Sequence, residues 1–114
     1  MQIAEEKHGP VAVLAVEGRI DTTHAGELET ALLALIDRGE TTIVLDFAEV
    51  NYISSAGLRV LLVGAKKMKA AQGSICLASL QKTVKDVLAV TGFMNLFRLF
   101  KSKESAVQEL TTAS

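Results

Sequence analysis

The chain has one cysteine, one proline and almost no net charge, and each scarcity removes a class of protein. Cys76 alone can form neither an intramolecular disulfide nor a cluster of thiolate metal ligands, and its place in the apolar stretch SICLAS marks it as a buried core thiol. Twelve basic residues against thirteen acidic ones leave a formal charge of -1, which offers no electrostatic footprint for nucleic acid or an anionic membrane. No apolar run approaches the roughly 18 residues that a membrane-spanning helix needs. The opening MQIAEEKHG carries acidic residues where a signal peptide has its apolar core, so the expected compartment is the cytoplasm. A single proline, with 49% hydrophobic and 22% charged residues, argues against a disordered tract. At 114 residues the expectation is one domain, 1–114, built on one core.

The usual catalytic and cofactor signatures are also missing. There is no glycine-rich phosphate loop, no dinucleotide-binding glycine triplet, no HExxH zinc helix and no GxSxG nucleophile elbow. The two histidines, His8 and His24, stand far apart and each reads as a solvated polar side chain. A serine nucleophile needs a base and an orienting group, and no motif supplies them, although His24 could meet Ser55 in space. The expectation is a protein that is not an enzyme, with no metal and no cofactor.

What is present is a regular alternation. VAVLAVEG, after the turn at Gly9 and Pro10, is a nearly continuous apolar run that suits a strand covered on both faces, and residues 2 to 7 could pair with it as a hairpin. In RIDTTHAGELETALLALIDRGE, Leu28, Ala31, Leu32, Leu35 and Ile36 recur at helical spacing, with Asp21, Thr22 or Thr23 as candidate caps and Gly39 as the stop. TTIVLDF is a β-branched strand, followed by AEVNYI. From Ser55 to about Ala71, Leu58, Leu61, Leu62, Ala65 and Met68 form a helical stripe. SICLAS reads as a buried strand. QKTVKDVLAVTG reads as a helix with Val84, Val87, Leu88 and Thr91 inward, FMNLFRLF holds a short last strand, and SKESAVQEL a final helix started by Ser102 or Ser105. The clustered Phe93, Met94, Phe97 and Phe100 read as packing around that strand. The order ββαβαβαβα predicts an α/β fold with a central mixed, mostly parallel sheet and helices packed on it. In such sheets function gathers where a strand's C-terminal end feeds a helix, and VNYISSAGLR occupies such a corner.

The two serines of that corner have different expected jobs. At about 100° per residue, Ser54 projects into the apolar stripe, as an N-cap would, while Ser55 falls at its rim near Arg59 and Lys66. The first turn of a helix presents unpaired N–H groups and a positive dipole end, so a phosphate on Ser55 would be tolerated there. On the same wheel Val60 and Val63 lie opposite the stripe, and with Leu58 they are candidates for partner contact. Gly57 would permit close approach of a partner or of a neighbouring strand. Lys66, Lys67 and Lys69 read as a solvated face.

The run FAEVNYISSAGLRVLLVGAKKMKAAQGSICLASL, with GRIDTTHAGELE upstream, resembles the STAS family, and within it the bacterial anti-sigma factor antagonists. The resemblance implies a non-enzymatic regulator. A partner that is both anti-sigma factor and ATP-dependent serine kinase phosphorylates a serine at the helix start, and a metal-dependent serine phosphatase reverses it. The unphosphorylated antagonist binds the anti-sigma factor and frees the sigma factor. By position the phosphoacceptor is Ser55, with Ser54 as the second choice and standing where many relatives have aspartate. Asp21, in GRID, matches an acidic residue that contributes to partner recognition, and capping of the next helix is its other reading. The expected docking set is therefore Asp21, Ser54, Ser55, Gly57, Leu58, Arg59 and Val63, with no nucleic acid and no membrane insertion. The alternative is a constitutive adaptor of the same fold, in a stressosome-like or lipid-transport assembly, in which the serines only cap a helix.

Overall fold

The structure, a computed structural model, describes residues 1–112. Its elements are β1 (Gln2–His8), β2 (Val11–Ile20), α1 (Ala25–Asp37), β3 (Thr42–Ile53), α2 (Ser55–Ala70), β4 (Ser74–Ala78), α3 (Lys82–Thr91), a 3-10 turn (Phe93–Leu96), β5 (Arg98–Phe100) and α4 (Lys103–Thr112). The alternation read from the sequence is borne out. The sheet runs β1-β2-β3-β4-β5, with the β1–β2 hairpin antiparallel and every other pair parallel.

Alternation along the strands divides the core in two. Ala12, Leu14 and Val16 of β2 meet Leu28, Leu32 and Leu35 of α1, Leu61 and Met68 of α2, and Val84 and Leu88 of α3 on one face. Val11 and Val13, with Val44, Cys76 and Ala78, turn to the other face, where Ala106 of α4 packs on them. Coverage on both sides is why VAVLAV is continuously apolar. Burial in that second cluster pushes the Cys76 thiol up to about 11. The helix ends are as expected from glycine: Gly39 follows α1 at φ +97° and Gly92 follows α3 at φ +79°. At α4, the Ser102 hydroxyl accepts from the backbone N–H of Ser105 at 3.0 Å.

Four expectations are corrected. The strand read at TTIVLDF is longer than expected: β3 continues through AEVNYI to Ile53, because β2 runs on beside it to Ile20 with two register shifts. Thr22 and Thr23 stay exposed, and the N-cap position of α1 falls on His24 with no side-chain cap bond. Thr91 is exposed, its hydroxyl donating to the carbonyls of Val87 and Leu88.

The fourth is the orientation of α2. Val60 is not outward but buried, at 1% exposure, and Leu58 is half-buried against the core. The buried row of α2 is Gly57, Val60, Leu61, Gly64 and Met68. A stripe drawn from large apolar residues alone points elsewhere, because the helix meets the sheet and α1 through its two glycines. A Cβ at Gly64 would come within 2.5 Å of Leu32 Cδ2, so the glycine sets how closely α1 and α2 approach.

Gly64→Val should therefore lower stability by about 2 kcal/mol through overpacking against the fully buried Leu32, read as a fall in the urea midpoint. Cys76 should resist alkylation at about pH 8 in the native protein and react at once in denaturant, since burial disfavours its thiolate.

Candidate functional site at the head of helix α2

The site begins with a backbone bond. Ile20 and Ile53 are paired at the ends of β2 and β3, and the N–H of Ser54 donates to the Ile20 carbonyl at 2.8 Å. Ser54 keeps extended backbone, φ −87° and ψ 172°, while its carbonyl accepts the first helical bond, from the Leu58 N–H at 2.9 Å. Its hydroxyl accepts from the Gly57 N–H at 3.2 Å. Ser54 is thus the N-cap, and at 8% exposure its hydroxyl is taken up by the fold.

Gly57 completes the corner. A Cβ there would stand 2.7 Å from Ile20 Cγ2 and 2.7 Å from Ile53 Cγ1, so only glycine lets the first turn of α2 rest on the two strand ends. Of its two readings, close approach to a neighbouring strand is the one the geometry carries. Ser55 opens α2 on the solvent side, exposed and without a hydrogen bond from its side chain. The first turn carries no acidic residue, so beyond the Gly57 N–H that Ser54 caps, no side-chain charge compensates its positive dipole end. Arg59 is exposed four residues on, Val63 is half-buried, and Val60 is removed from the surface.

Asp21 arrives at the same end of the sheet, directly after the Ile20 that bonds Ser54. Its Oδ1 accepts the His24 backbone N–H at 2.9 Å and lies 2.7 Å from His24 Nδ1. The backbone bond first, then the ring, holds the Asp21 carboxyl below the usual range. Asp21 therefore braces the turn ahead of α1, and His24 is turned to Asp21 with no hydrogen bond to Ser55. That arrangement contains no base for a serine nucleophile. Among the described residues no group of three His, Cys, Asp or Glu side chains could hold a metal ion.

Two exposed side chains of this corner went unnoticed in the sequence. The guanidinium of Arg19 stacks on the Tyr52 ring at 4.1 Å, and Tyr52 is 40% exposed. They are register partners one step before Ile20 and Ile53. No sequence signal marks them, since their pairing follows two register shifts between β2 and β3.

A STAS domain model matches residues 2–106. The chain belongs to the STAS domain family. It is 35% identical over 113 residues to BtrV of Bordetella bronchiseptica, described as an anti-sigma factor antagonist, covering 99% of this chain and 97% of BtrV. The fold is similar to that of a Thermotoga maritima protein described in the same terms, with a TM-score of 0.88 at 19% identity, covering 94% of this chain and 92% of that one. It is also similar to Bacillus SpoIIAA in its phosphorylated form, with a TM-score of 0.77 at 19% identity, covering 96% and 99%. Its place among STAS anti-sigma factor antagonists makes the chain a regulatory binding protein and not an enzyme. Among the described residues no helix is long and apolar enough to cross a membrane.

Ser54→Ala should cost about 1 kcal/mol in denaturant unfolding through loss of the cap, Ser54→Asp should keep most of it, and Ser55→Ala should stay within about 0.5 kcal/mol. By carboxyl NMR, Asp21 should titrate below its ordinary 3.8. A lowered folded value means that the brace is in force above about pH 4 and is lost as pH falls through the native pKa.

Proposed function

We propose that this STAS domain is a phosphorylation-controlled partner switch, binding an anti-sigma factor that is also a serine kinase while Ser55 is unmodified, and so freeing the sigma factor for transcription. The observation that carries the reading is the division of labour between the serines. Ser54 caps α2, and the exposed Ser55 hydroxyl has no structural task that would account for it.

In the switch, Ser55 Oγ attacks the γ-phosphorus of ATP held by the kinase. An O–P bond forms, the bond between the β-γ bridging oxygen and the γ-phosphorus breaks, ADP leaves, and the hydroxyl proton passes to a base of the kinase. The phosphate adds about −1.5 to −2 charges. At the N-terminus of α2 it meets unpaired N–H groups and the positive dipole end, an attraction worth roughly 0.3–1 kcal/mol on a surface, so the domain stays folded while its docking face becomes negative. A metal-dependent phosphatase resets it: water attacks phosphorus, the Ser55 Oγ–P bond breaks, and inorganic phosphate leaves. Asp21, Ser54, Gly57, Leu58, Arg59 and Val63 form the docking face around Ser55, with Ser54 and Gly57 acting by holding the helix start in place. The ATP and sigma factor that the switch needs place it in the cytoplasm. That SpoIIAA, a protein of the same fold, exists in a phosphorylated form supports the reading.

The test is the intact mass of the protein from its own cells, with fragmentation to locate phosphate, alongside capture of its partner by three forms. Phosphate at Ser55, retained binding by Ser55→Ala, and at least a roughly tenfold loss, about 1.4 kcal/mol, in Ser55→Asp are expected. An unmodified Ser55 under all growth conditions, with Ser55→Asp binding like the wild type, would establish the constitutive adaptor instead.

A further inference from the structure

The other end of α2 carries a second feature that the switch does not use. Between the C-terminal half of α2, the start of β4 and the 3-10 turn lies an open groove of about 870 Å³. Its floor is apolar, made by Leu62, Ala65, Met68, Ile75, Leu96 and Phe97. Its rim carries the cations Lys66 and Lys69, and no acidic side chain lines it; Arg98 borders it as well, with its guanidinium turned to Glu109 of α4 and the Phe100 ring. Arg98 is paired with Glu109, whereas Lys66 and Lys69 have no ion-pair partner among the described residues.

Ordinary helix chemistry explains only part of this. Lys67 and Lys69 stand in the last turn of α2, where cations complement the dipole. That leaves Lys66, one residue ahead of the last turn and beside the apolar floor, with no ion-pair partner among the described residues, and it does not explain Leu96, which leaves 43% of its surface in water at the edge of the groove. Leu62, Lys66 and Lys69 follow one ridge of α2 at i, i+4 and i+7, a line of about 10 Å at 1.5 Å per residue. An apolar trough flanked by such a ridge is the complement of a helix with an apolar face and acidic flanks.

We propose that this groove docks an amphipathic, acidic helical segment of a partner protein. The charge sign selects the flank of the incoming helix: Lys66 and Lys69 face its carboxylates while its apolar side covers Leu96 and Phe97. An open trough suits a helix laid along it better than a small ligand, which needs about 70–90% of its surface enclosed. Ser55 lies seven residues before Leu62, the nearest groove residue on α2, about 10 Å along the axis, and 14 before Lys69, about 21 Å, so an occupant seated over Lys66 and Lys69 leaves the Ser55 face free. The inference does not depend on phosphorylation.

The probe is a synthetic helical peptide of about 16 residues, with leucines on one face and glutamates beside them, titrated into the 15N-labelled full chain. Expected are amide shifts at Leu62, Lys66, Lys69, Ile75 and Leu96, a Kd on the order of 10–100 μM, and at least a tenfold loss in the Lys66→Glu/Lys69→Glu double variant. Leu96→Ser, at an exposed position, should weaken binding while leaving the circular dichroism spectrum unchanged. Raising salt to about 1 M, where the Debye length is about 3 Å, should weaken it as well. Three results would overturn the proposal: no groove shifts at saturating peptide, equal binding of a peptide with lysine in place of glutamate, or groove shifts caused by monomeric decanoate but not by the acidic peptide.

Discussion

The helix that carries the site can lie on the sheet only because residue 57 has no side chain. With Ile20 and Ile53 both 2.7 Å from where a Cβ would stand, any other residue would push the first turn of α2 away from the strand ends. The 2.8 Å bond from Ser54 to the Ile20 carbonyl and the 3.2 Å cap bond from Gly57 to Ser54 both depend on that contact. Once they form, the direction of α2 is set, Ser54 is consumed by the cap, and Ser55 is left at the surface. Gly64 repeats the arrangement two turns on against Leu32, so one row of small residues seats the helix along its length.

This construction isolates the exposed serine from the core. The two apolar clusters lie under α1, α2 and α3 on one side and under α4 on the other, and neither includes Ser55. A charge placed on it meets the helix terminus and solvent, and costs no packing. The Asp21–His24 turn and the Arg19–Tyr52 stack frame the same corner from the ends of β2 and β3, so these side chains and the exposed Ser55 hydroxyl are carried by different elements that meet at the sheet end. Such a corner can change its charge without changing its shape, which suits a regulatory binding protein.

Most of the fold was legible because its signals are local. Strand runs, the helical spacing of Leu28, Leu32 and Leu35, and the stops at Gly39 and Gly92 depend on near neighbours in sequence. The pairing of an inward Ser54 with an outward Ser55 was legible for the same reason, since a cap is a bond over three residues. The face of α2 was not: a wheel drawn from leucines placed Val60 outside, because glycines carry no hydrophobic weight and yet decide where two surfaces come closest. The length of β3 and the Arg19–Tyr52 stack were hidden by register shifts that exist only between two strands.

The sequence by itself determined the order of elements, the two-sided burial of the central strands, the capping serine and the family to which the chain belongs. The tertiary structure alone decided which side of α2 meets the sheet, which exposed groups surround Ser55, and that a cationic rim and an apolar floor meet at the helix's far end. The division has a physical cause. Propensity and capping act over a few residues, whereas helix rotation and groove formation depend on how closely two backbones can approach, which is set by contacts between residues far apart in the chain.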